Sequence, residues 1–173
     1  MRSPRLRHQN EHAPRKGRWK IRTTIMPSTH LSLHYHVVFS MKERCAFIDA
    51  AWRDRFHAYL GGAVRTAGGV AEAVGGTADH VHLLIGLRAT HRLSDVVRNI
   101  KQTSSEWVHQ SIGTATFSWQ EGYGAFTVSA SQLDVVKNYV VHQAEHHRAR
   151  GFQEEYREML VKSGVEFDER YLW

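Results

Sequence analysis

Two histidines separated by a single residue, His80 and His82, form the first cluster of this sequence that could carry chemistry. They lie in an apolar run over residues 80–87 that has the length and composition of a β-strand. Side chains two positions apart on a strand share a face, so both imidazoles can reach one metal ion while Val81 faces the opposite side. The same short motif is also typical of two ordinary histidines on a half-exposed sheet.

A tyrosine and a glutamine one helical turn apart form a second cluster. Tyr139 and Gln143 occupy positions i and i+4 of a predicted helix, so they lie on one face. A phenol could act there as a nucleophile beside an amide oxygen that serves as a third metal ligand. The neighbouring Val135, Val136 and Val140 leave an alternative, in which the tyrosine is an ordinary member of a buried apolar stripe.

The remaining reactive side chains favour no further site. His142 and His146 are one turn apart, but no HExxH pattern or nearby cysteine accompanies them. A solvated helix end, where cations are favoured, explains His146 and His147. The single cysteine, Cys45, excludes an internal disulfide framework and a cysteine-rich zinc fold. The sequence also lacks P-loop, dinucleotide-binding and GxSxG motifs.

The elements that would position these side chains follow from hydrophobic periodicity. Alternating apolar and polar residues predict strands, and apolar spacings of three and four predict helices. Ser94 is the expected N-cap of one helix, and Ser131 with Asp134 resembles a capping box at the start of another. The predicted strands are 30–40, 70–75, 80–87 and 125–129, and the predicted helices are 49–66, 93–111, 131–148 and 152–162.

The order of these elements, β-α-β-β-α-β followed by helices, indicates an α+β fold. It is the ferredoxin-like plan, in which an antiparallel four-stranded sheet carries two helices on one face. At 173 residues and 42% hydrophobic composition, the chain can bury a core of this kind. The opposite face of the sheet is left for the C-terminal helices, the first of which carries Tyr139.

Charge divides the chain into a basic leader and a nearly neutral body. Residues 1–25 contain eight basic side chains and one acidic one, a charge of +7 within a total of +6, which leaves −1 for the other residues. We therefore expect residues 1–27 to be a flexible leader, with Met26 as a candidate start, and residues 28–173 to be one folded domain that works without it. A phosphate-binding arm is the alternative for this leader.

No segment of the sequence has the character of a membrane span. The best apolar run, residues 83–87, is far shorter than the ~20 residues that a transmembrane helix needs. The charged N-terminus lacks the apolar stretch of a secretory signal. The expectation is a soluble, cytoplasmic protein without a membrane partner.

Taken together, six segments of the chain resemble one family. The resemblance is to the small single-tyrosine transposases of insertion sequences, which belong to the His-hydrophobe-His (HUH) class, and to their REP-associated branch. It extends over residues 28–173. The segments are HYHVVFSMKER (34–44), ADHVHLLIGL (78–87), LSDVVRNIKQTSS (93–105), FSWQEGYGAFTVS (117–129), NYVVHQAEHHR (138–148) and GFQEEYREMLVKSGVEFDERYLW (151–173).

The resemblance implies a site and a reaction. His80 and His82 match the metal-binding histidines of the family, Gln143 matches the third ligand and Tyr139 matches the nucleophile. The implied cofactor is a divalent metal, Mg²⁺ or Mn²⁺. The implied reaction is cleavage and rejoining of single-stranded DNA through a 5′-phosphotyrosyl intermediate. The basic leader is the departure from the family pattern.

The resemblance also implies partners. The family recognises single-stranded DNA hairpins at element ends or repeated palindromes, and it works as homodimers in which the tyrosine helix can serve the other subunit. Aromatic side chains stack on bases, and basic side chains hold phosphates. Our candidates for DNA contact are Arg98, Lys101, Trp119 and Tyr123.

Three alternatives remain open beside a mobile transposase. One is a domesticated relative that cleaves repeated palindromes. Another is a catalytically silent DNA-binding regulator on the same scaffold, although intact Tyr139, His80 and His82 argue against it. The third is a metal-dependent phosphodiesterase that uses water and needs no tyrosine.

Overall fold

A computed structural model describes residues 29–148 and 151–172. The predicted leader, residues 1–27, lies outside the described residues, and the compact unit that holds the elements below is Leu31–Trp173. Its strands are β1 (His34–Ser40), β2 (Val70–Gly76), β3 (His80–Gly86) and β4 (Gly124–Val128). Its α-helices in the described ranges are α1 (Ala50–Thr66), α2 (Leu93–Ser111), α3 (Leu133–Val141), α4 (Gln143–His146) and α5 (Phe152–Lys162).

The four strands form one antiparallel sheet in the order β2-β3-β1-β4. This order and the β-α-β-β-α-β connectivity confirm the predicted α+β, ferredoxin-like fold. The two central strands pair so that Ser40 faces His80 and Val38 faces His82. The histidine pair therefore lies on a central strand, where both neighbouring strands fix its backbone.

Alternation along the central strands separates two cores. One face of the sheet packs against α1 and α2, and Val81 is fully buried in that larger core, as predicted. The opposite face carries a smaller cluster of Ala73, Leu84, Val128 and Val140, the last of which comes from α3. Because the side-chain period of a strand is two, the residues on either side of Val81 emerge on the α3 face.

The helices α1 and α2 begin in different ways. Asp49 caps α1, and its carboxylate accepts a hydrogen bond of 2.7 Å from the Ala51 amide. Helix α2 has the predicted bounds, but the N-cap prediction for Ser94 is wrong. The N-cap residue is Arg92, and it makes no side-chain capping bond. Ser94 is already inside the first turn because the extended backbone ends at Arg92, two residues before the predicted N-cap.

The long helix predicted over 131–148 is wrong in its bounds. A 3-10 turn at Ala130–Gln132 precedes α3, and the Ser131 hydroxyl contacts Ser129 at 3.0 Å instead of capping the helix. The helix is interrupted at His142, whose φ of −101° and ψ of 22° are not helical. The Asn138 carbonyl still accepts the backbone amide of His142, at 3.2 Å, and a ring nitrogen of His142 lies 2.8 Å from it. At the next position the side-chain amide of the buried Gln143 reaches the Tyr139 carbonyl at 3.5 Å.

Helix α3 docks on the sheet at a glycine. A Cβ added to Gly75 on β2 would lie 1.8 Å from the carbonyl oxygen of Val140, which is fully buried. Only glycine permits the backbone of α3 to approach the strand so closely. This contact fixes the distance between α3, which carries Tyr139, and the sheet.

The substitution Gly75→Ala is expected to lower the free energy of unfolding by about 3 kcal/mol, because α3 must shift away from β2. Urea unfolding followed by circular dichroism measures the loss. Gly62→Ala is the matched control, since the nearest atom to its new Cβ is 3.9 Å away and the residue lies within α1. That control should be neutral or slightly stabilising. Equal stability of Gly75→Ala and the wild type would contradict the close docking.

Candidate active site

The histidine pair is buried on the α3 face of the sheet. His80 and His82 are both 0% exposed, and their ring centroids are 5.1 Å apart. A half-exposed pair, the structural alternative for this motif, is therefore not what the fold produces. Burial of two polar rings requires partners for their nitrogen atoms.

His80 is oriented by an acidic neighbour. Its Nδ1 lies 2.7 Å from a carboxylate oxygen of Asp79 and 2.9 Å from the Thr77 hydroxyl. Burial by itself raises the pKa of Asp79, but the hydrogen bonds from His80 and Thr77, with the nearby charges of His80 and Arg44, lower this pKa to about 2. The carboxylate is thus ionised and keeps the Nδ1 proton in place, which leaves Nε2 as the ligand atom.

His82 is oriented by a third histidine that was not predicted as a site residue. The Nε2 atom of His36 on β1 lies 2.9 Å from His82 Nδ1, across the diagonal of the β1–β3 pair. Burial lowers the pKa of His36 to about 4. Burial, followed by the charges of three nearby histidines, lowers the pKa of His82 well below its ordinary value. Both rings are therefore neutral at pH 7, as metal ligation requires.

Each of the three residues predicted to bind the metal has one buried acceptor atom with no hydrogen-bond partner among the described residues. These atoms are Nε2 of His80, Nε2 of His82 and Oε1 of Gln143. Leaving such atoms unsatisfied is costly, and a cation beside the clustered His80 and His82 would satisfy their nitrogen atoms. Imidazole nitrogen and amide oxygen are suitable ligands for a divalent ion, so the residues fit the metal that the sequence resemblance implies.

Replacing His36 with leucine is expected to weaken Mn²⁺ binding by about 10- to 100-fold, because His82 loses the group that orients it. His36→Gln keeps a hydrogen-bond acceptor and should stay within about threefold of the wild type. Isothermal titration calorimetry of the metal-free proteins with Mn²⁺ measures the affinity of both variants. His34→Leu is the control on the same strand, since His34 packs beside Gly86. Equal affinity of His36→Leu and the wild type would refute the orienting role.

Tyr139 and Gln143 meet the histidine pair within one chain. The Tyr139 ring stands edge-on to the rings of His82 and His36, with centroids 6.0 and 5.9 Å apart. Gln143 lies on α4, just past the helix break, and is 1% exposed. All four residues predicted for the metal and the nucleophile are thus brought together. The tyrosine is half-buried, and it faces the histidines rather than the apolar cluster alone.

The structure adds Glu155 from α5, which the sequence did not indicate. Its carboxylate accepts hydrogen bonds from the Tyr139 hydroxyl and, at 3.1 Å, from the Gln143 side-chain amide. Burial first, and then the charges of Glu158 and Asp79, raises the pKa of Glu155 to about 7. The only signal in the sequence was its position among the apolar residues of a short helix, and that pattern does not distinguish it from its exposed neighbour Glu154.

His147 and Phe152 close the site from the C-terminal side. The assignment of His147 to a solvated helix end is wrong, since its side chain is 13% exposed and its Nε2 lies 2.7 Å from Glu155. Its ring centroid is 4.5 Å from that of His80, and the Phe152 ring stacks on His80 at 4.2 Å. Both residues follow the break in the predicted helix at His142.

A cavity of about 700 Å³ adjoins the tyrosine. His36, Tyr139, His146 and Glu155 contribute to its wall, with Glu158 and Lys162. His146 is exposed, and its ring centroid is 5.0 Å from that of Tyr139. The cavity is large enough for a nucleotide to approach the phenol.

The four candidates for DNA contact line a different groove, of about 630 Å³, beside α2. In the described chain it shares no lining residue with the cavity next to Tyr139. Two of the candidates are free to meet a ligand there. Arg98 is exposed and pairs with Asp95 at 2.9 Å, and Tyr123 is 38% exposed.

The other two candidates are already engaged by the protein. The Lys101 ammonium donates to the carbonyl oxygens of Gln120, at 2.9 Å, and Gly122, and burial lowers its pKa to about 8. The Trp119 indole donates to the Ser104 hydroxyl at 3.0 Å and packs against the larger core. Both side chains hold the loop before β4 against α2.

Comparison with known proteins places the chain in a family. Residues 29–143, more than half of the chain, match the family described as transposase IS200 like. The chain therefore belongs to the IS200-like transposase family. A comparison with curated proteins gave no match. Among residues 29–148 and 151–172, no helix is both long and apolar enough to span a membrane.

Two solved structures are similar to the chain. One is a candidate transposase from Deinococcus radiodurans R1, with 22% identity and a TM-score of 0.53, over 65% of this chain and 91% of that one. The other is a REP-associated tyrosine transposase bound to a REP hairpin, with 12% identity and a TM-score of 0.49, over 66% of this chain and 68% of that one. The first likeness supports the fold described above.

Proposed function

We propose that the chain is a metal-dependent, single-strand DNA transposase that cleaves and rejoins DNA beside hairpins through a covalent bond to Tyr139. The observation that carries this proposal is the phenol at the buried His80 and His82 pair, whose Nε2 atoms are unpartnered among the described residues. Membership of the IS200-like transposase family supports the reaction class. The hairpin substrate and the homodimer rest on the resemblance of the six sequence segments.

The residues of the site would have different roles in cleavage. His80, His82 and Gln143 would hold the cation, and Asp79 and His36 keep the two rings oriented. When bound, a divalent ion such as Mg²⁺ or Mn²⁺ would polarise the scissile phosphate and neutralise its charge. A phenol with an ordinary pKa of about 10 is a weak nucleophile, so these effects matter at neutral pH.

The phenol exchanges one phosphate ester for another. The Tyr139 oxygen attacks phosphorus and forms a 5′-phosphotyrosyl bond, while the P–O3′ bond breaks and the 3′ oxygen leaves as a hydroxyl group. Attack by a different 3′-hydroxyl group reverses the step, releases the phenol and joins new strands. Because a phosphodiester is conserved throughout, the sequence of steps needs neither water nor ATP.

Arg98 and Tyr123 are the side chains that we propose for DNA contact in the groove beside α2. Both are exposed there, and their types suit a phosphate and a base, respectively. Lys101 and Trp119 would act on DNA through the loop that they hold.

Incubation with single-stranded hairpin DNA tests the proposal. The full chain is mixed with end-labelled hairpin and Mg²⁺ or Mn²⁺, and the products are separated on a denaturing gel. The expected result is a protein–DNA adduct that requires the metal and disappears with chelator. Cleavage without an adduct would instead favour the hydrolytic phosphodiesterase, and binding without cleavage would favour the silent regulator.

A further inference from the structure

We propose that His147 and Glu155 join His80 and His82 as ligands of one cation, and that the resulting site takes a first-row transition-metal ion rather than Mg²⁺. This inference rests on the proposed function, because the histidine pair is common to both. It adds two ligands from the segment that follows the helix break. Both residues come after position 143, where the match to the transposase family ends.

The four side chains converge on one point. One ligand atom from each lies within 4.8 Å of all the others. Ligands of a tetrahedral zinc ion stand about 2 Å from the metal and so about 3.5 Å from one another. Side-chain shifts of roughly 1 Å would therefore close the cluster around an ion. Shifts of this size need only small rotations about side-chain bonds.

The two strand histidines are already prepared as ligands. Both are fully buried, and both use Nδ1 for a partner behind the ring, Asp79 for His80 and His36 for His82. Each therefore aims an unpartnered Nε2 atom into the cluster. Buried polar atoms that lack a partner in a prepared orientation point to a ligand.

The carboxylate of Glu155 lies between the histidines. Its Oε2 atom is 2.7 Å from Nε2 of His147 and 3.8 Å from Nε2 of His82. Its Oε1 atom accepts from the Gln143 amide, which fixes the direction of the carboxylate. The segment from the helix break to α5 thus supplies an anionic oxygen and a third imidazole to the strand pair.

The donor set selects the kind of ion. Three imidazole nitrogens and one carboxylate oxygen suit Zn²⁺, Co²⁺ or Mn²⁺, whereas Mg²⁺ prefers oxygen ligands and retains several waters. These four donors already fill a tetrahedral coordination sphere, so Gln143 or a scissile phosphate would bind the ion only if one donor leaves or the ion becomes five-coordinate. Glu155 is the donor that a scissile phosphate would replace, because both present anionic oxygen atoms.

Metal titration tests this site independently of DNA. Metal-free full chain is titrated with Zn²⁺ and, separately, with Mg²⁺, and Co²⁺ is followed by its visible spectrum. The wild type should bind Zn²⁺ at least about 100-fold more tightly than Mg²⁺ and give the intense Co²⁺ bands of four-coordinate geometry. Glu155→Gln and His147→Gln should each weaken Zn²⁺ binding by more than about 10- to 100-fold, because each removes a ligand and that range is typical of groups that only orient one.

Neighbouring residues of the same types provide matched controls. Glu154→Gln and His142→Gln should keep wild-type Zn²⁺ affinity, and circular dichroism checks that all four variants fold. Wild-type affinity in folded Glu155→Gln and His147→Gln would overturn the inference. If either variant fails to fold, the wild-type Co²⁺ spectrum still tests the inference. The weak bands of a six-coordinate ion would overturn it.

The two proposals can fail separately. If an adduct forms at Tyr139 and Zn²⁺ affinity is unchanged in Glu155→Gln and His147→Gln, only the proposal of the extended metal site is refuted. If those variants lose Zn²⁺ affinity but the wild type forms no adduct on hairpin DNA, the metal site is supported and the proposed transposase mechanism is refuted.

Discussion

Replacing Tyr139 with phenylalanine is expected to abolish the covalent DNA adduct and to lower strand cleavage by about 10⁴-fold or more, because the nucleophilic oxygen is gone. The ring still packs edge-on against His36 and His82, so the fold should persist. The lost hydrogen bond to Glu155 should cost only about 1 kcal/mol of stability. Labelled hairpin DNA and a denaturing gel measure the adduct, and thermal unfolding measures stability.

Tyr59→Phe is the matched control for this substitution. The Tyr59 hydroxyl donates to the Thr103 carbonyl at 3.1 Å between α1 and α2, on the other side of the sheet. Its loss should leave the adduct unchanged. An adduct that persists in Tyr139→Phe would show that another residue is the nucleophile. Persistent cleavage without an adduct would show that water attacks the phosphate.

Removing the ring of His82 is the second large effect that we expect. His82→Ala should lose metal binding and lower cleavage to the level of chelator-treated wild type. His82 is central to the proposed metal site, with His36 on one side and Glu155 on the other. Hairpin binding should stay within a few-fold of the wild type, since phosphate and base contacts elsewhere hold the DNA. Gel-shift and cleavage assays on one hairpin measure the two properties side by side.

His80→Ala should behave in the same way, and Gln143→Ala should be milder, because a water molecule can replace one amide oxygen on the ion. This order of effects distinguishes a metal site from a purely structural cluster. Full cleavage in His82→Ala, or cleavage that chelator does not affect, would remove the metal from the mechanism.

Local periodicity predicted most of the fold. The α2 helix over 93–111 and the α5 helix over 152–162 have the predicted bounds. Amphipathic spacing marks a helix that packs on one side, whatever it packs against. The same local geometry placed His80 and His82 on one face and Tyr139 one turn from Gln143. These relations span at most four residues, so no knowledge of the tertiary structure was needed.

The helix break and the lining of the groove beside α2 depended on tertiary packing, which the local sequence pattern does not show. Nothing in the local pattern of 131–148 indicates the interruption at His142, where the backbone leaves the helical conformation. Lys101 and Trp119 occupy positions that suggest a solvated face, yet the loop before β4 folds over α2 and engages both. A side chain that local spacing places on a solvated face is engaged in this way where one element covers another that is distant in the sequence.

The sequence by itself determined the strands and most of the helices, and it showed that a histidine pair, a phenol and an amide are available for phosphate chemistry. Only the tertiary structure decided which groups surround them. His36 reaches His82 through the register of β1 and β3, and Glu155 reaches Tyr139 because α5 folds back over the sheet. The physical reason is that strand pairing and helix docking join residues tens of positions apart, and spacing along the chain carries no record of such contacts.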